Sequence, residues 1–463
     1  MPVLENYPGR RRDAPSSMRP IGPGVAVTRD GRQTLNRTWW PVVLVPGIMG
    51  SRVEREDGTD SIWDPDRTGF MLSLMSQSPD TLTRLYNHRL TPGRTIRTIA
   101  SGDNDSLEDR SDSHERAIGR SRNERNWGSI SWEYYGPGAV GIQRDIAVEG
   151  GVLWCFGYDW RRSNLDNGRL LRAFIANTVR PTSPFKPIIV THSMGGLVTR
   201  AACRVHGMES MVSGVIHTMM PTYGAAEAYG SIKHGRMAFP FRYLFGNTPM
   251  EIACVASGVT GYFQLMPAQN YPRADWLSVD SKLDPHCDPQ GPFPLADAYG
   301  IYRESNGMVG LVRHETFNGN MVNVGGNRYV RRTRRVLQHM LDNIAEAERY
   351  HSQLVRDYCA PRTWLIAETG RTTVVTVQLA FRQDSYKGIA LRPEAIGNLS
   401  SSTEGDATVP LVSARALEEH PNCRGGFIVS GDFDHADSTN QPIVIDAIGD
   451  LIRRIRREGL LRW

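Results

Sequence analysis

The 463-residue chain contains no run of about 18 apolar residues, which excludes a membrane-crossing helix on sequence grounds. The stretch Met1 to Pro20 is rich in Arg, Pro and Ser and lacks the apolar segment of a secretory signal peptide. Together these absences set cytoplasmic residence as the default expectation, with export left to a dedicated secretion machine. Cysteine is scarce. The six present, Cys155, Cys203, Cys254, Cys287, Cys359 and Cys423, lie far apart without C-x-x-C or other ligand spacing, which predicts free buried thiols rather than a disulfide framework. Neither histidines nor cysteines form a metal-ligand pattern, and no glycine-rich phosphate cradle occurs, so no metal and no cofactor is expected. The formal charge of +5 is small for this length and its basic residues are scattered. That argues against nucleic acid while permitting transient contact with a membrane surface, and it leaves the oligomeric state open.

What the sequence does contain is Lys186-Pro187-Ile188-Ile189-Val190-Thr191-His192-Ser193-Met194-Gly195-Gly196-Leu197-Val198. It reads as a buried strand that stops at a serine and turns directly into a helix, the layout of a nucleophile elbow. Ile188 to Val190 suit a central parallel strand, and Gly195-Gly196 followed by Leu197 and Val198 suit a closely packed helix. Thr191 stands where the G-x-S-x-G pattern has its first glycine. The plainer reading of the stretch alone is a buried serine capping a helix after a strand.

The rest of the chain arranges itself around that turn. Residues 1–35 are polar and proline-rich and read as a flexible arm. Trp39 to Val45 form an apolar strand running into Pro46-Gly47-Ile48-Met49-Gly50-Ser51, a turn able to present a free backbone N–H. Residues 51–133 make a long excursion, whose later part, Ser101 to Asn126, is charged and reads as solvated. Gly151 to Phe156 is the next strand, Asn164 to Val179 a helix, and Val212 to Met219 another strand after the elbow. This alternation predicts an α/β fold, a mostly parallel sheet with crossover helices on both faces. The rhythm breaks from Pro221 to about Thr363, where a long amphipathic helix spans Arg334 to Tyr358. We assign residues 36–220 and 371–463 to the core, with 221–370 as an inserted cap or lid expected to fold over Ser193, its long helix supplying an apolar face. The core resumes with a strand over Thr372 to Phe381, and the chain closes on an amphipathic helix.

Two later segments matter for chemistry. Glu404-Gly405-Asp406-Ala407-Thr408-Val409-Pro410 places an aspartate in a loop, and the strand Gly426 to Ser430 leads to Asp432-Phe433-Asp434-His435-Ala436-Asp437. The chain order Ser193, Asp406, His435 is nucleophile, acid, histidine, the α/β-hydrolase order, and each residue falls at the carboxyl end of a strand or in a late core loop. A serine hydroxyl needs a base to take its proton, and the resulting imidazolium needs a carboxylate. The amides of Ile48 and Met194 are the natural pair of oxyanion donors. Asp432, Asp434, Asp437 and Glu404 are alternative acids, and His192 is an alternative base.

These segments resemble those of the lecithin:cholesterol acyltransferase-like lipases of the α/β-hydrolase superfamily. The matching residues are Pro41 to Ser51, Tyr158-Asp159-Trp160-Arg161, Thr191 to Gly196, Gly405 to Pro410 and the His435 segment. The resemblance implies that Ser193 is the nucleophile, Asp406 the acid and His435 the base, with Ile48 and Met194 as oxyanion donors. It implies a structural role for Asp159, Trp160 and Arg161, with the charge pair buried. Ala407 stands where the family often has glycine, and no cysteine pair has the spacing of the lid disulfide of the secreted acyltransferases. The activity implied is a serine carboxylester hydrolase of the lipase, phospholipase or esterase kind, acting on a lipid or other acyl ester. Acyl transfer, or a non-catalytic protein binding a lipid or partner on the same fold, are the alternatives. Tyr243, Leu244, Phe245, Phe263 and Leu265 are candidates to line an acyl groove.

Overall fold

The interior strands of the main sheet are short apolar runs whose successive residues feed two different cores, as a pleated strand buried on both faces requires. The computed structural model describes residues 3–6, 26–27, 33–34, 39–99, 120–234, 249–273, 276–279, 298–303, 311, 333–354, 358–379, 399–402 and 404–463. Its main sheet contains β1 (Val3–Asn6), β2 (Trp40–Val45), β3 (Gly151–Cys155), β4 (Ile188–His192), β5 (Gly214–Thr218), β6 (Thr363–Thr369) and β7 (Cys423–Ser430), in the spatial order β1-β7-β6-β5-β4-β2-β3. Every neighbouring pair is parallel except β1 with β7. Val42 and Leu44 of β2 face one core, with Ile188 and Val190 of β4, against helices α1 (Trp132–Ala147) and α6 (Pro442–Arg457). Val43, Val45 and Ile189 face the other, against α2 (Asn164–Phe174) and α3 (Met194–Arg204). The expected α/β architecture is therefore present, with the elbow strand β4 in the interior of the sheet.

The boundary of the inserted region differs from the sequence expectation. The core sheet resumes at Thr363, inside the stretch assigned to the cap, because Thr363–Thr369 is buried at every position but its last, as an interior strand must be. The strand expected at Thr372 to Phe381 occurs as Thr373–Leu379, but it belongs to a separate three-stranded sheet with Leu277–Val279 and Leu399–Ser402. Residues 373–377 alternate between buried and half-buried, the signature of a strand covered on one face only. Its Thr and Val content reported a strand correctly and said nothing about which sheet.

The long helix α5 (Thr333–Gln353) turns its stripe toward the core. Met340, Ile344, Ala347 and Tyr350 join the hydrophobic cluster that contains α2 and α3, and the Tyr350 hydroxyl donates to the Leu197 carbonyl at 2.9 Å. It buttresses the back of α3, and the wall over Ser193 comes from other parts of the insertion. In the early excursion, Val53–Arg55 pairs antiparallel with both Ser61–Trp63 and Gly93–Thr95. Of the charged stretch Ser101 to Asn126, residues 101–119 lie outside the described residues. Arg125 departs from the solvated expectation: it is fully buried, and its guanidinium donates to Gln143 Oε1 at 2.9 Å and to the Leu153 carbonyl at 3.0 Å.

Asp159, Trp160 and Arg161 join these pieces. Arg161 donates from Nε and Nη2 to the two carboxylate oxygens of Asp159 at 2.8 and 2.7 Å, and from Nη1 to the Leu85 carbonyl of the excursion at 2.7 Å. Its own carbonyl accepts from the Thr260 amide of the insertion at 2.7 Å. Trp160 packs edge-on against Trp63, with ring centroids 5.9 Å apart, and against Tyr86 at 5.8 Å. Arg161→Ala would leave Asp159 buried without its bidentate partner, which typically costs about 3–5 kcal/mol. The urea midpoint should fall accordingly; a midpoint equal to wild type would show that the pair contributes no net stability.

Candidate active site

β4 ends at His192 and α3 begins at Met194, leaving Ser193 alone at the turn with φ 51° and ψ −127°. That backbone directs the hydroxyl out of the sheet plane. His435 opens the short turn His435–Asn440 that follows β7, and Asp406 lies in the loop between Leu399–Ser402 and Leu411–Ala414. The fold brings the three together: His435 Nε2 is 2.8 Å from Ser193 Oγ, and His435 Nδ1 is 2.6 Å from Asp406 Oδ2. A carboxylate can only accept, so Nδ1 carries the imidazole proton and Nε2 presents a lone pair to the serine. Asp406 is itself fixed, because Oδ1 accepts from the amides of Thr408 at 3.0 Å and Val409 at 2.6 Å. The His435 amide donates to the Asp406 carbonyl at 3.2 Å, tying the two loops together.

The alternative residues are engaged elsewhere. Asp432 and Asp434 are exposed and ion-paired with Arg371. Asp437 accepts from Asn440 and Gln441 within its own turn, and Glu404 is exposed. His192 is fully buried. Its Nδ1 lies 2.7 Å from the Tyr135 hydroxyl and its Nε2 lies 3.2 Å from Ser438 Oγ. Burial, and then the neighbouring His435, hold its pKa well below the usual histidine range, so it is neutral. The Tyr135 hydroxyl accepts from the Gly47 amide at 2.8 Å, which leaves its proton for His192 Nδ1 and makes His192 the donor toward Ser438. This Tyr135–His192–Ser438 chain links the Gly47 turn to the His435 turn, and no spacing or pattern in the sequence announces it.

The turn after β2 and the start of α3 meet in front of Ser193. Ile48 lines the cavity there, and among the described residues neither its amide nor that of Met194 has a protein acceptor. Both can serve an oxyanion. The cavity has a volume of about 200 Å³ and mostly apolar walls from Ile48, Met49, Tyr134, Pro221, Ala225, Ala228, Tyr262, Leu265 and Val409, with Ser193 and His435 at its base. It is smaller than the ~300–1,000 Å³ of a typical ligand cleft, so it suits one arm of a substrate rather than a whole lipid. Of the expected groove residues, Leu265 lines it, Phe263 is buried in the core, and Tyr243, Leu244 and Phe245 lie outside the described residues. No cluster of His, Cys, Asp or Glu suited to a metal occurs among the described residues. None of their helices is long and apolar enough to cross a membrane.

A mostly parallel sheet with a serine at an interior strand-to-helix turn, and a histidine and carboxylate delivered by later loops, is the α/β-hydrolase fold. Residues 140–270 match the family model described as lecithin:cholesterol acyltransferase, the group whose motifs the sequence resembles. Among solved structures, a chain of the Tle4–Tli4 complex is similar with a TM-score of 0.71 and 19% identity, over 90% of this chain and 98% of that one. At that identity the likeness is one of fold. No curated protein sequence matches the chain.

Ala407 has φ 74°, the left-handed region in which a Cβ costs roughly 1–2 kcal/mol. Its amide donates to Thr373 Oγ1 at 2.8 Å, which holds it there beside Asp406. Ala407→Gly should relieve that strain and, against the larger entropy of an unfolded glycine, raise stability by about 0.5 kcal/mol. Chemical denaturation measures it; a lower midpoint would mean that the methyl group stabilises the loop by its packing.

Proposed function

We propose that the protein is a serine carboxylester hydrolase acting on a lipid or other acyl ester through an acyl-enzyme. The observation that carries the reading is the unbroken hydrogen-bonded chain from Asp406 through His435 to Ser193, opening into an apolar cavity. Ser193 Oγ attacks the ester carbonyl as His435 Nε2 takes its proton, and Asp406 stabilises the imidazolium that forms. The amides of Ile48 and Met194 receive the oxyanion, each such donor being worth about 2.7–4 kcal/mol in the transition state. When the tetrahedral adduct collapses, the C–O bond to the alcohol breaks and His435 returns the proton to the leaving oxygen. Water, activated by the same histidine, then attacks the acyl-enzyme and frees the acid. An alcohol in place of that water would give acyl transfer, the reaction named in the matched family.

A fluorophosphonate probe should label Ser193, with the label lost in Ser193→Ala. His435→Ala should keep the fold and lower kcat by several powers of ten. Labelling that persists in Ser193→Ala would place the nucleophile elsewhere. The apolar cavity makes a second prediction: kcat/KM should rise from two-carbon to medium-chain acyl esters, each buried methylene adding about 0.8 kcal/mol. A steady decline beyond the acetyl ester would instead assign a small-ester hydrolase.

A further inference from the structure

Helix α4 (Ala226–His234) supplies part of the cavity wall, and in its first turn Glu227 faces the cavity between Ala225, Ala228 and Tyr262. An ionised carboxylate in an apolar wall is costly unless a partner replaces the water it loses. The chain provides little. Ser231 Oγ, one turn along the same helix, donates to Oε1 at 3.2 Å. Tyr262, from the packed helix Thr260–Phe263, gives its hydroxyl proton to the Ala228 carbonyl at 2.9 Å. Among the described residues no Lys, Arg or His pairs with Glu227. Burial pushes its acid up to about 7, with the Ser231 bond offsetting only part of the shift. The other carboxylate oxygen keeps its acceptor capacity in a cavity that a substrate arm must enter.

The ester chemistry derived above makes no use of this group. A wall built only to hold an alkyl chain gains nothing from a carboxyl, whereas a positively charged N–H donor would restore its lost hydration with a charge-assisted hydrogen bond. Ser231 Oγ can accept a second N–H from the same ammonium, so a primary amine fits this pair better than a group with no N–H. Resting on the ester-hydrolase reading, we propose that Glu227 is a specificity-determining residue and that the preferred ester carries a protonated primary amine in the arm occupying the cavity.

The test uses two matched pairs of esters, each pair comparing a terminal ammonium with an isosteric methyl group. One pair carries it on the acyl arm and the other on the alcohol arm, at about pH 8, where an alkylamine is protonated. In one of the two pairs the wild-type kcat/KM should favour the amine by about tenfold or more, and the pair that responds identifies the arm. In Glu227→Gln the preference should collapse toward one, while Glu227→Asp should retain part of it. A merely structural role would lower both esters of a pair equally and leave the ratio unchanged. Ratios near one in both wild-type pairs, or a ratio that survives Glu227→Gln, would overturn the proposal. If Glu227→Gln does not fold, the wild-type ratios and Glu227→Asp decide alone. Failure of the underlying reading looks different: no ester of either kind is hydrolysed and Ser193 takes no fluorophosphonate label.

Discussion

Ser193 holds a backbone conformation that an L-residue keeps only when its surroundings over-determine it, at a cost of about 1–3 kcal/mol. Its amide donates to the Thr218 carbonyl of β5 at 2.9 Å, and its carbonyl accepts from the Gly196 amide at 2.9 Å. Two close approaches complete the clamp. A Cβ on Gly195 would lie 2.4 Å from the Val45 carbonyl oxygen and 2.5 Å from that of Pro46, and a Cβ on Gly47 would lie 2.9 Å from Ser193 Cβ. Glycine at these positions lets the end of β2 touch the start of α3. Thr191 shows why glycine is dispensable two residues earlier: its side chain faces β5, where Oγ1 lies 2.8 Å from His217 Nδ1. Burial, and then Arg200, lower the His217 pKa to about 3, so the pair is neutral and adds no charge beneath Ser193.

The polar groups around this turn form two networks with different tasks. Tyr135, His192 and Ser438 connect the Gly47 turn, the elbow and the histidine turn, so the three segments that must keep register share buried hydrogen bonds. The Asp159–Arg161 pair works at longer range. It ties the excursion through Leu85 and the inserted region through Thr260 to the loop after β3. The parts that shape the cavity are thereby fixed to the parts that hold Ser193, Asp406 and His435, an arrangement that preorganises the site.

The elbow, the order of Ser193, Asp406 and His435, and the alternating strands were legible because each leaves a local mark: a period, a glycine or a turn. What was not legible depends on partners distant in sequence. Thr363–Thr369 follows directly on the inserted region, so nothing local separates it from that region, and only its pairing with β5 and β7 makes it a core strand. The stripe of α5 announced a buried face without naming the surface it would meet. Arg125 looked solvated among charged neighbours until Gln143 and Leu153 supplied acceptors. Tyr135 and Glu227 carry no motif at all, and they matter only because the fold brings one beside His192 and the other into the cavity wall.

Glu368 illustrates how stability and chemistry oppose one another at the end of β6. Its side chain is buried, both carboxylate oxygens lack a hydrogen-bond partner among the described residues, and Asp406 lies close enough to repel it. Burial, and then Asp406, push its acid up to about 9 from an ordinary 4.5. Between those values Glu368 is protonated when folded and ionised when unfolded, so folding takes up a proton and stability falls as pH rises through the window. Keeping Glu368 neutral prevents a second negative charge from standing beside the buried Asp406, which accepts from His435 Nδ1. The site thus accepts a loss of stability toward alkaline pH in order to hold a single carboxylate charge behind the imidazole.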